Sequence, residues 1–134
     1  MAAPATIAGV SPFFIVGDVS LSVAFYRERL GFQVTYQEPA ADPFFAIVAR
    51  DAAQLFLKHL GPATPALPNP RRHPDAKWDA YFHVADPDGL AAEYAASATP
   101  FAAGLGDTSD GLRGFEIADP DGHVLFFGRP IGAT

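Results

Sequence analysis

The chain has 134 residues, of which 49% are hydrophobic and 18% are charged, so it is long and apolar enough for one compact domain with a core. The formal net charge of −6 argues against the basic face that a nucleic-acid-binding protein needs. The sequence has no cysteine, which excludes disulfides and thiolate chemistry and fits a reducing compartment.

No segment predicts export or membrane insertion. The first ten residues lack the basic region of a secretory signal, and no apolar run reaches the length that spans a bilayer. We therefore expect a soluble cytoplasmic protein with no membrane and no nucleic-acid partner.

A weak internal repeat organises the chain. The segment "FFIVGDVSLSVAFY" (residues 13–26) matches "YFHVADPDGLAAEY" (residues 81–94) at one constant offset. Each copy alternates like a strand and then continues through an aspartate into a short helical pattern. The repeat predicts two copies of the same supersecondary unit.

Each copy also carries the signals of a helix boundary. Asp18 and Asp86 stand where an N-cap residue accepts backbone N–H bonds, and Pro87 suits the first helical position. The first helix is predicted over residues 19–30, and Gly31 is expected to end it in a left-handed conformation. Both aspartates are therefore interpreted as structural.

Strand-like stretches follow each helix. They are "FQVTYQE", "FFAIVAR" and "AQLFLKH" in the first half and "FEIAD" and "HVLFFGR" in the second, where "TPFAAGLG" fits a strand poorly. Each half thus reads β-α-β-β-β. The sequence predicts a single α+β domain of two tandem modules, module one at about 7–60 and module two at about 76–130.

A proline-rich stretch separates the modules. "GPATPALPNPRRHPD", at about 61–75, has five prolines in fifteen residues. Because proline fixes φ and donates no backbone hydrogen bond, a stiff solvated linker without strand or helix is expected. A lid over a ligand is the alternative.

The segment "DPDGH" (residues 119–123) predicts a type I turn between two strands, because Asp, Pro and Gly stand at its preferred positions. His123 then begins the second strand of a hairpin. A metal ligand or base needs converging partners, and none stands nearby in the sequence. We therefore expect His123 to be a solvent-facing residue at the edge of the turn.

These segments carry a family resemblance. "FFIVGDVSLSVAFYRERLGFQV", "YFHVADPDGLAAEY" and "RGFEIADPDGHVLFFG" resemble the vicinal oxygen chelate superfamily, and within it the glyoxalase/bleomycin resistance protein group. The resemblance implies two βαβββ modules whose sheets curve around a cleft, usually in a homodimer. Enzymes of the superfamily hold a divalent metal in the cleft, whereas its resistance proteins bind a drug there without a metal.

The positions that bear metal ligands in similar enzymes are Ser11, Phe56, Asp79 and Phe126. Phenylalanine cannot donate to a hard cation, which needs carboxylate or imidazole. The resemblance therefore implies a metal-free cleft with no cofactor. The alternative is an off-pattern divalent-metal site formed by Asp79, His83 and Glu116.

Strand alternation predicts which side chains line the cleft and which face the helices. Phe14, Val16, Phe82 and Val84 are assigned to the helix side. The expected ligand-binding residues are Ser11, Phe13, Ile15, Phe56, Trp78, Asp79, Tyr81, His83, Glu116 and Phe126. Rings with a few carboxylates suit an aromatic or cationic ligand, although Trp78 could equally cover a sheet edge or a dimer interface.

Two functions remain open at this point. The first is a metal-free protein that sequesters a drug or metabolite in a dimer cleft, as the resemblance to bleomycin resistance proteins implies. The second is a glyoxalase- or dioxygenase-like metalloenzyme with an atypical metal site. Phe56 and Phe126 stand where the enzymes need ligands, and they favour the first.

Overall fold

The computed structural model describes residues 3–132, which form two four-stranded sheets. Module one has strand order β1-β4-β3-β2, with β1 parallel to β4 and the other pairs antiparallel. Its elements are β1 (Phe13–Ile15), α1 (Val19–Glu28), β2 (Gln33–Glu38), β3 (Phe45–Arg50) and β4 (Ala53–Lys58).

Module two repeats this plan with strand order β5-β8-β7-β6. A one-turn helix, α2 (Asn69–Arg72), precedes it. Its elements are β5 (Ala80–His83), α3 (Pro87–Ala96), β6 (Ala103–Asp107), β7 (Leu112–Ala118) and β8 (Val124–Pro130). The predicted α+β fold of two βαβββ modules is confirmed.

One local prediction was wrong, because the proline-rich linker is not free of helix. It contains α2, whose first backbone N–H, at Asn69, donates to the Asp79 carboxylate over 2.8 Å. The segment "TPFAAGLG", which fits a strand poorly by its own pattern, does supply the remaining strand, β6, because pairing with β7 outweighs a weak intrinsic strand preference. In both places a partner outside the segment decides its conformation.

The predicted helix boundaries are largely confirmed. The Asp18 carboxylate accepts the Leu21 N–H, and the Asp86 carboxylate accepts the Gly89 N–H, both over 3.0 Å. Helix α1 ends at Glu28, two residues earlier than expected, and Gly31 follows with a φ of 75°. Only glycine adopts that conformation without steric cost.

The two modules share one core. Helix α1 packs on β2, β3 and β4, and α3 packs on β6, β7 and β8. Phe14 and Val16 are buried in this core, while Phe82 and Val84 are half-buried against it, as alternation predicts.

Polar contacts fasten the modules to each other around this core. The Tyr26 hydroxyl, on α1, donates to the Asp119 carboxylate over 2.8 Å. The Arg50 guanidinium forms two hydrogen bonds to Glu93 on α3, of 2.7 and 2.9 Å. A planar, two-point pair of this kind fixes orientation as well as distance. Within residues 3–132 no helix is both long and apolar enough to cross a bilayer.

Candidate functional site

One aromatic cluster lies on the face of the first sheet that α1 leaves uncovered. Phe45 is its centre, with ring centroids 6.4 Å from Phe13, 5.9 Å from Phe56 and 6.0 Å from Tyr36. We call these four residues the module-one ring face. Phe13 is 55% exposed and Tyr36 is 48% exposed, so the face is open.

Sequence reasoning found Phe13 and Phe56 but missed Tyr36 and Phe45. The missed signal is alternation in β3, where Ala46 and Val48 are buried and Phe45 points to the other side. Ile15 and Lys58 are paired where β1 meets β4. The Lys58 ammonium lies 5.8 Å from the Phe45 ring centroid, within cation–π range, and gives this face a positive charge.

A second cluster lies on the second sheet and unites five predicted residues. Trp78 stacks on Phe126 at 4.5 Å, and its indole N–H donates to Glu116 over 3.1 Å. The Tyr81 ring lies 5.1 Å from Phe126, and the His83 ring lies 4.7 Å from Tyr81. We call these five residues the module-two ring face.

Two glycines that sequence reasoning missed shape the module-two ring face. Gly114 and Gly128 are paired between β7 and β8. A Cβ at either position would lie within 2.6 Å of the Phe126 ring, so only glycine lets that ring lie flat on the sheet. As a result Phe126 is 1% exposed beneath Trp78, rather than part of the open lining.

Asp79 has a structural connection that the sequence did not reveal. One carboxylate oxygen accepts the Asn69 N–H and the other accepts the Val124 N–H, each over 2.8 Å. Asp79 therefore ties the linker to the start of β8. It also lines a groove with Phe13 and Ile15 beside β1. Ser11 is half-buried just before that strand.

The prediction that His123 faces solvent was wrong. The turn itself forms as expected, with the Gly122 N–H donating to the Asp119 carbonyl over 2.9 Å. The turn folds onto module one, where the Asp121 carboxylate accepts the Gly17 N–H over 2.9 Å. His123 is consequently 4% exposed, and its ring stacks on Phe14 at 4.2 Å.

A buried hydrogen-bond network surrounds this turn. His123 Nδ1 lies 2.8 Å from the same Asp119 oxygen, Oδ2, that accepts the Tyr26 hydroxyl. Burial alone lowers the pKa of His123, but the Asp119 hydrogen bond and charge, with the charges of Asp79 and Asp121, outweigh it and raise that pKa. Burial, reinforced by Asp119, raises the pKa of Tyr26.

The donor atoms around this turn do not suit a divalent metal. Asp119, Asp121 and His123 bring one ligand atom each within 4.8 Å of one another, which no other acidic or histidine trio does in the described part of the chain. Both Asp119 oxygens already accept hydrogen bonds. Oδ1 accepts from the backbone N–H groups of Asp121 and His123. Oδ2 accepts from the Tyr26 hydroxyl and lies 2.8 Å from His123 Nδ1. A cation would have to break these bonds.

The off-pattern metal site proposed for Asp79, His83 and Glu116 does not form, because these residues do not converge to ligating distance. Asp79 is held by backbone amides and Glu116 by the Trp78 indole. Phe56 and Phe126 offer no donor at the positions where similar enzymes bind metal. The residues present do not fit the metal of those enzymes.

Comparison with known proteins identifies relatives of the whole fold. A family model described as Glyoxalase/Bleomycin resistance protein/Dioxygenase superfamily matches residues 8–127. No curated protein is similar enough to count as a relative. Solved structures that are less than 25% identical to this chain share its fold.

One similar structure is the bleomycin-binding protein from bleomycin-producing Streptomyces verticillus complexed with copper(II)-bleomycin, with 24% identity, a TM-score of 0.67, and coverage of 97% of this chain and 100% of that one. Another is TnmS3, an antibiotic binding protein from Streptomyces sp. CB03234, with 21% identity, a TM-score of 0.68, and coverage of 97% and 99%. TioX from Micromonospora sp. ML1 has 20% identity, a TM-score of 0.66, and coverage of 91% and 96%.

Proposed function

Because the chain belongs to the Glyoxalase/Bleomycin resistance protein/Dioxygenase superfamily, we propose that it binds an aromatic or cationic small molecule between its two ring faces, without a metal. The cleft is completed by a second copy of the chain. Similar folds in the bleomycin-binding protein and in the antibiotic binding protein TnmS3 support this choice among the functions of the superfamily.

The observation that carries the proposal is the separation of the two ring faces. Among the described residues no pair of stacked or edge-on rings joins Phe13, Tyr36, Phe45 or Phe56 to the rings of module two. Each face alone is one wall of a site. A contiguous exposed aromatic wall is unusual on a monomer and is typical of a binding surface.

The chemistry of the walls suggests what is bound. Rings supply area and stacking, and a few charged groups fix the orientation of a ligand. On module two the Glu116 carboxylate is held by Trp78 and can accept a hydrogen bond or balance a cation. On module one Lys58 offers the opposite charge. A planar ligand with polar groups at both ends meets both walls.

Trp78 makes binding directly measurable, because it is the only tryptophan in the chain. We expect saturable quenching of its fluorescence when bleomycin, with and without copper(II), or a planar organic cation is added. Tyr81→Ala and Phe13→Ala should each weaken binding by about tenfold. Leu21→Ala, on the exposed surface of α1, is the matched control and should change nothing.

Mixing the two ring-face variants tests the shared cleft. If each cleft combines module one of one copy with module two of the other, a heterodimer of Phe13→Ala and Tyr81→Ala chains has one cleft with both residues intact. Mixed protein should then regain tight sites that neither variant has alone. Sedimentation should give a dimer of the 14.2 kDa chain. A monomer, or mixing without recovery, contradicts the shared cleft.

Metal analysis distinguishes the enzymatic alternative. The protein is dialysed against Ni²⁺, Zn²⁺, Mn²⁺ and Fe²⁺ in turn, and the retained metal is measured by plasma mass spectrometry. We expect substoichiometric retention. Near-stoichiometric retention that disappears in Asp79→Ala or His83→Ala would overturn the metal-free proposal and make glyoxalase and dioxygenase assays the next step.

A further inference from the structure

The repeat that builds the fold also relates two β-hairpin turns. In module two the turn lies between Asp119 and His123, and in module one the corresponding turn lies between Arg50 and Ala53, at the ends of β3 and β4. Each turn packs against the other module. The Asp119 carboxylate accepts a hydrogen bond from the hydroxyl of Tyr26. The Arg50 guanidinium donates one to the hydroxyl of the equivalent tyrosine, Tyr94.

The two turns differ in what covers the neighbouring phenylalanine. In the module-two turn His123 stacks on Phe14 with the ring planes 5° apart, and Phe14 is 6% exposed. Phe82 is the equivalent of Phe14, and the residue in the place of His123 is Ala53. Phe82 is only half-buried, and it lines a cavity of about 400 Å³ together with Ala53.

The walls of this cavity, which we call the turn pocket, are aromatic below and acidic at the rim. Phe32 meets the Phe82 ring edge-on at 6.2 Å, and Phe127 and Tyr94 complete the apolar part. Three carboxylates, Asp51, Asp86 and Glu93, border the pocket with one guanidinium, Arg50. Arg50 is bound in two-point fashion to Glu93, which leaves an excess of negative charge at the rim.

We propose that the turn pocket is a second ligand site, which takes a small planar cationic heterocycle that stacks on Phe82 as the His123 ring stacks on Phe14. In module two the chain itself supplies a ring, that of His123, to cover Phe14. In module one the corresponding residue is Ala53, which has no ring to cover Phe82. Residues of α3, among them Leu90 and Tyr94, line the turn pocket, and His83 is the one ring-face residue at its edge, so the centre of the pocket differs from the cleft between the ring faces.

The probe for this site is 1,3-dimethylbenzimidazolium, a flat cation whose charge does not depend on pH, with indole as the uncharged counterpart. Titration is followed by amide chemical shifts in NMR spectra of the full chain. We expect saturable shifts at residues 84–90, with millimolar affinity, because so small a ligand offers few contacts. The cation should bind more tightly than indole, and added salt should reduce that difference.

Ala53→His tests the structural analogy, because it places a ring where His123 lies in the other module. This variant should lose the shifts at residues 84–90, with affinity reduced by about tenfold or more. Ala92→His, on the exposed side of α3 away from the pocket, is the matched control and should bind as the parent does.

A second variant keeps the test decisive if Ala53→His does not fold. Asp51→Asn removes one rim charge at an exposed position, and it should weaken the cation several-fold while leaving indole unchanged. Shifts confined to the ring faces, unchanged binding in Ala53→His, or equal binding of the cation and indole would each overturn the proposal. Because the two sites report at different amides, failure here leaves the proposed cleft untouched.

Discussion

Phe56 and Phe126 occupy the same place in the two modules, yet their surroundings are opposite. Phe56 is half-buried and meets Phe13 and Phe45 edge-on at 6.1 and 5.9 Å. Phe126 is 1% exposed, lies flat over two glycines and is covered by Trp78 at 4.5 Å. Equivalent phenylalanines thus belong to an open surface in the module-one ring face and to a buried stack in the module-two ring face.

The neighbouring strand pair explains this difference. Phe45 is paired with Lys58 in module one, and the corresponding pair in module two is Gly114 with Gly128. Side chains in the first pair keep Phe56 upright among its neighbours, whereas their absence in the second lets Phe126 fold down. The module-two ring face is therefore ordered by contacts within the chain, and order of this kind reduces the entropy lost when the proposed ligand binds.

The largest expected effect lies in the turn that distinguishes module two. Asp119→Asn replaces Oδ2, the oxygen that accepts from Tyr26 and His123, with an NH₂ group that can only donate, while the amide oxygen stands in for Oδ1. Breaking one partner of a buried polar network typically costs several kcal/mol, so we expect a loss of about 4 kcal/mol in the free energy of unfolding, measured by urea denaturation.

The same chemical change in the module-one turn is the control. Asp51 is exposed and adopts a φ of 51°, a conformation that asparagine tolerates. Asp51→Asn should alter the free energy of unfolding by no more than about 0.5 kcal/mol. If the two substitutions lowered the free energy of unfolding by similar amounts, the Asp119 network would not stabilise the contact between the modules.

The next effect concerns the glycine pair beneath Phe126. A Cβ at Gly114 would lie 2.3 Å from the Phe127 carbonyl oxygen and 2.6 Å from the Phe126 ring. Gly114→Ala should therefore cost about 3 kcal/mol of stability and change the Trp78 fluorescence, because the stack must shift. Gly104→Ala, whose Cβ meets nothing within 4 Å, should do neither. An unperturbed Gly114→Ala protein would refute the proposed role of the glycines.

The sequence predicted the larger features of this fold well because they are local or repeated. Capping by Asp18 and Asp86 depends on residues three positions away, and alternation alone placed Phe14 and Val16 in the core. The strand β6 was predicted only weakly, because its pattern is poor and its pairing with β7 decides its conformation. Short-range patterns carry no information about such a partner.

Prediction of the candidate site was limited by contacts between distant segments. Alternation predicted which strand residues share a face, and Tyr81, His83, Glu116 and Phe126 do meet around Trp78, while their role in binding stays a prediction. The burial of His123 could not be read from its turn, because Phe14 lies more than a hundred residues away in the sequence. The repeat does carry one signal for this difference, because the position of His123 is occupied in module one by a small residue, Ala53.

Protonation of His123 gives a smaller effect, which only module two can show. Because its pKa is raised above the ordinary value of 6.5 in the folded state, the folded protein holds this proton more tightly than the unfolded chain does. The resulting stabilisation is complete below pH 6.5 and is lost as pH rises through the folded-state pKa. Urea denaturation across that range should show this decline.

Two variants check the assignment of that decline. His123→Gln removes the titrating ring, and Asp119→Asn removes the main group that raises its pKa, so both should flatten the dependence on pH whatever their absolute stability. A decline that persists unchanged in His123→Gln would mean that another group in the protein causes it.

The smallest expected effect is one on which the modules should agree. Asp18 and Asp86 cap α1 and α3 with identical 3.0 Å hydrogen bonds, to Leu21 and Gly89 respectively. Either aspartate changed to alanine should cost about 1 kcal/mol in the free energy of unfolding, because one N-terminal amide loses its acceptor. Equal losses would indicate that the repeat preserves its backbone framework while its ring faces and turns diverge. A much larger loss for Asp86→Ala would instead show that the rim of the turn pocket also holds the modules together.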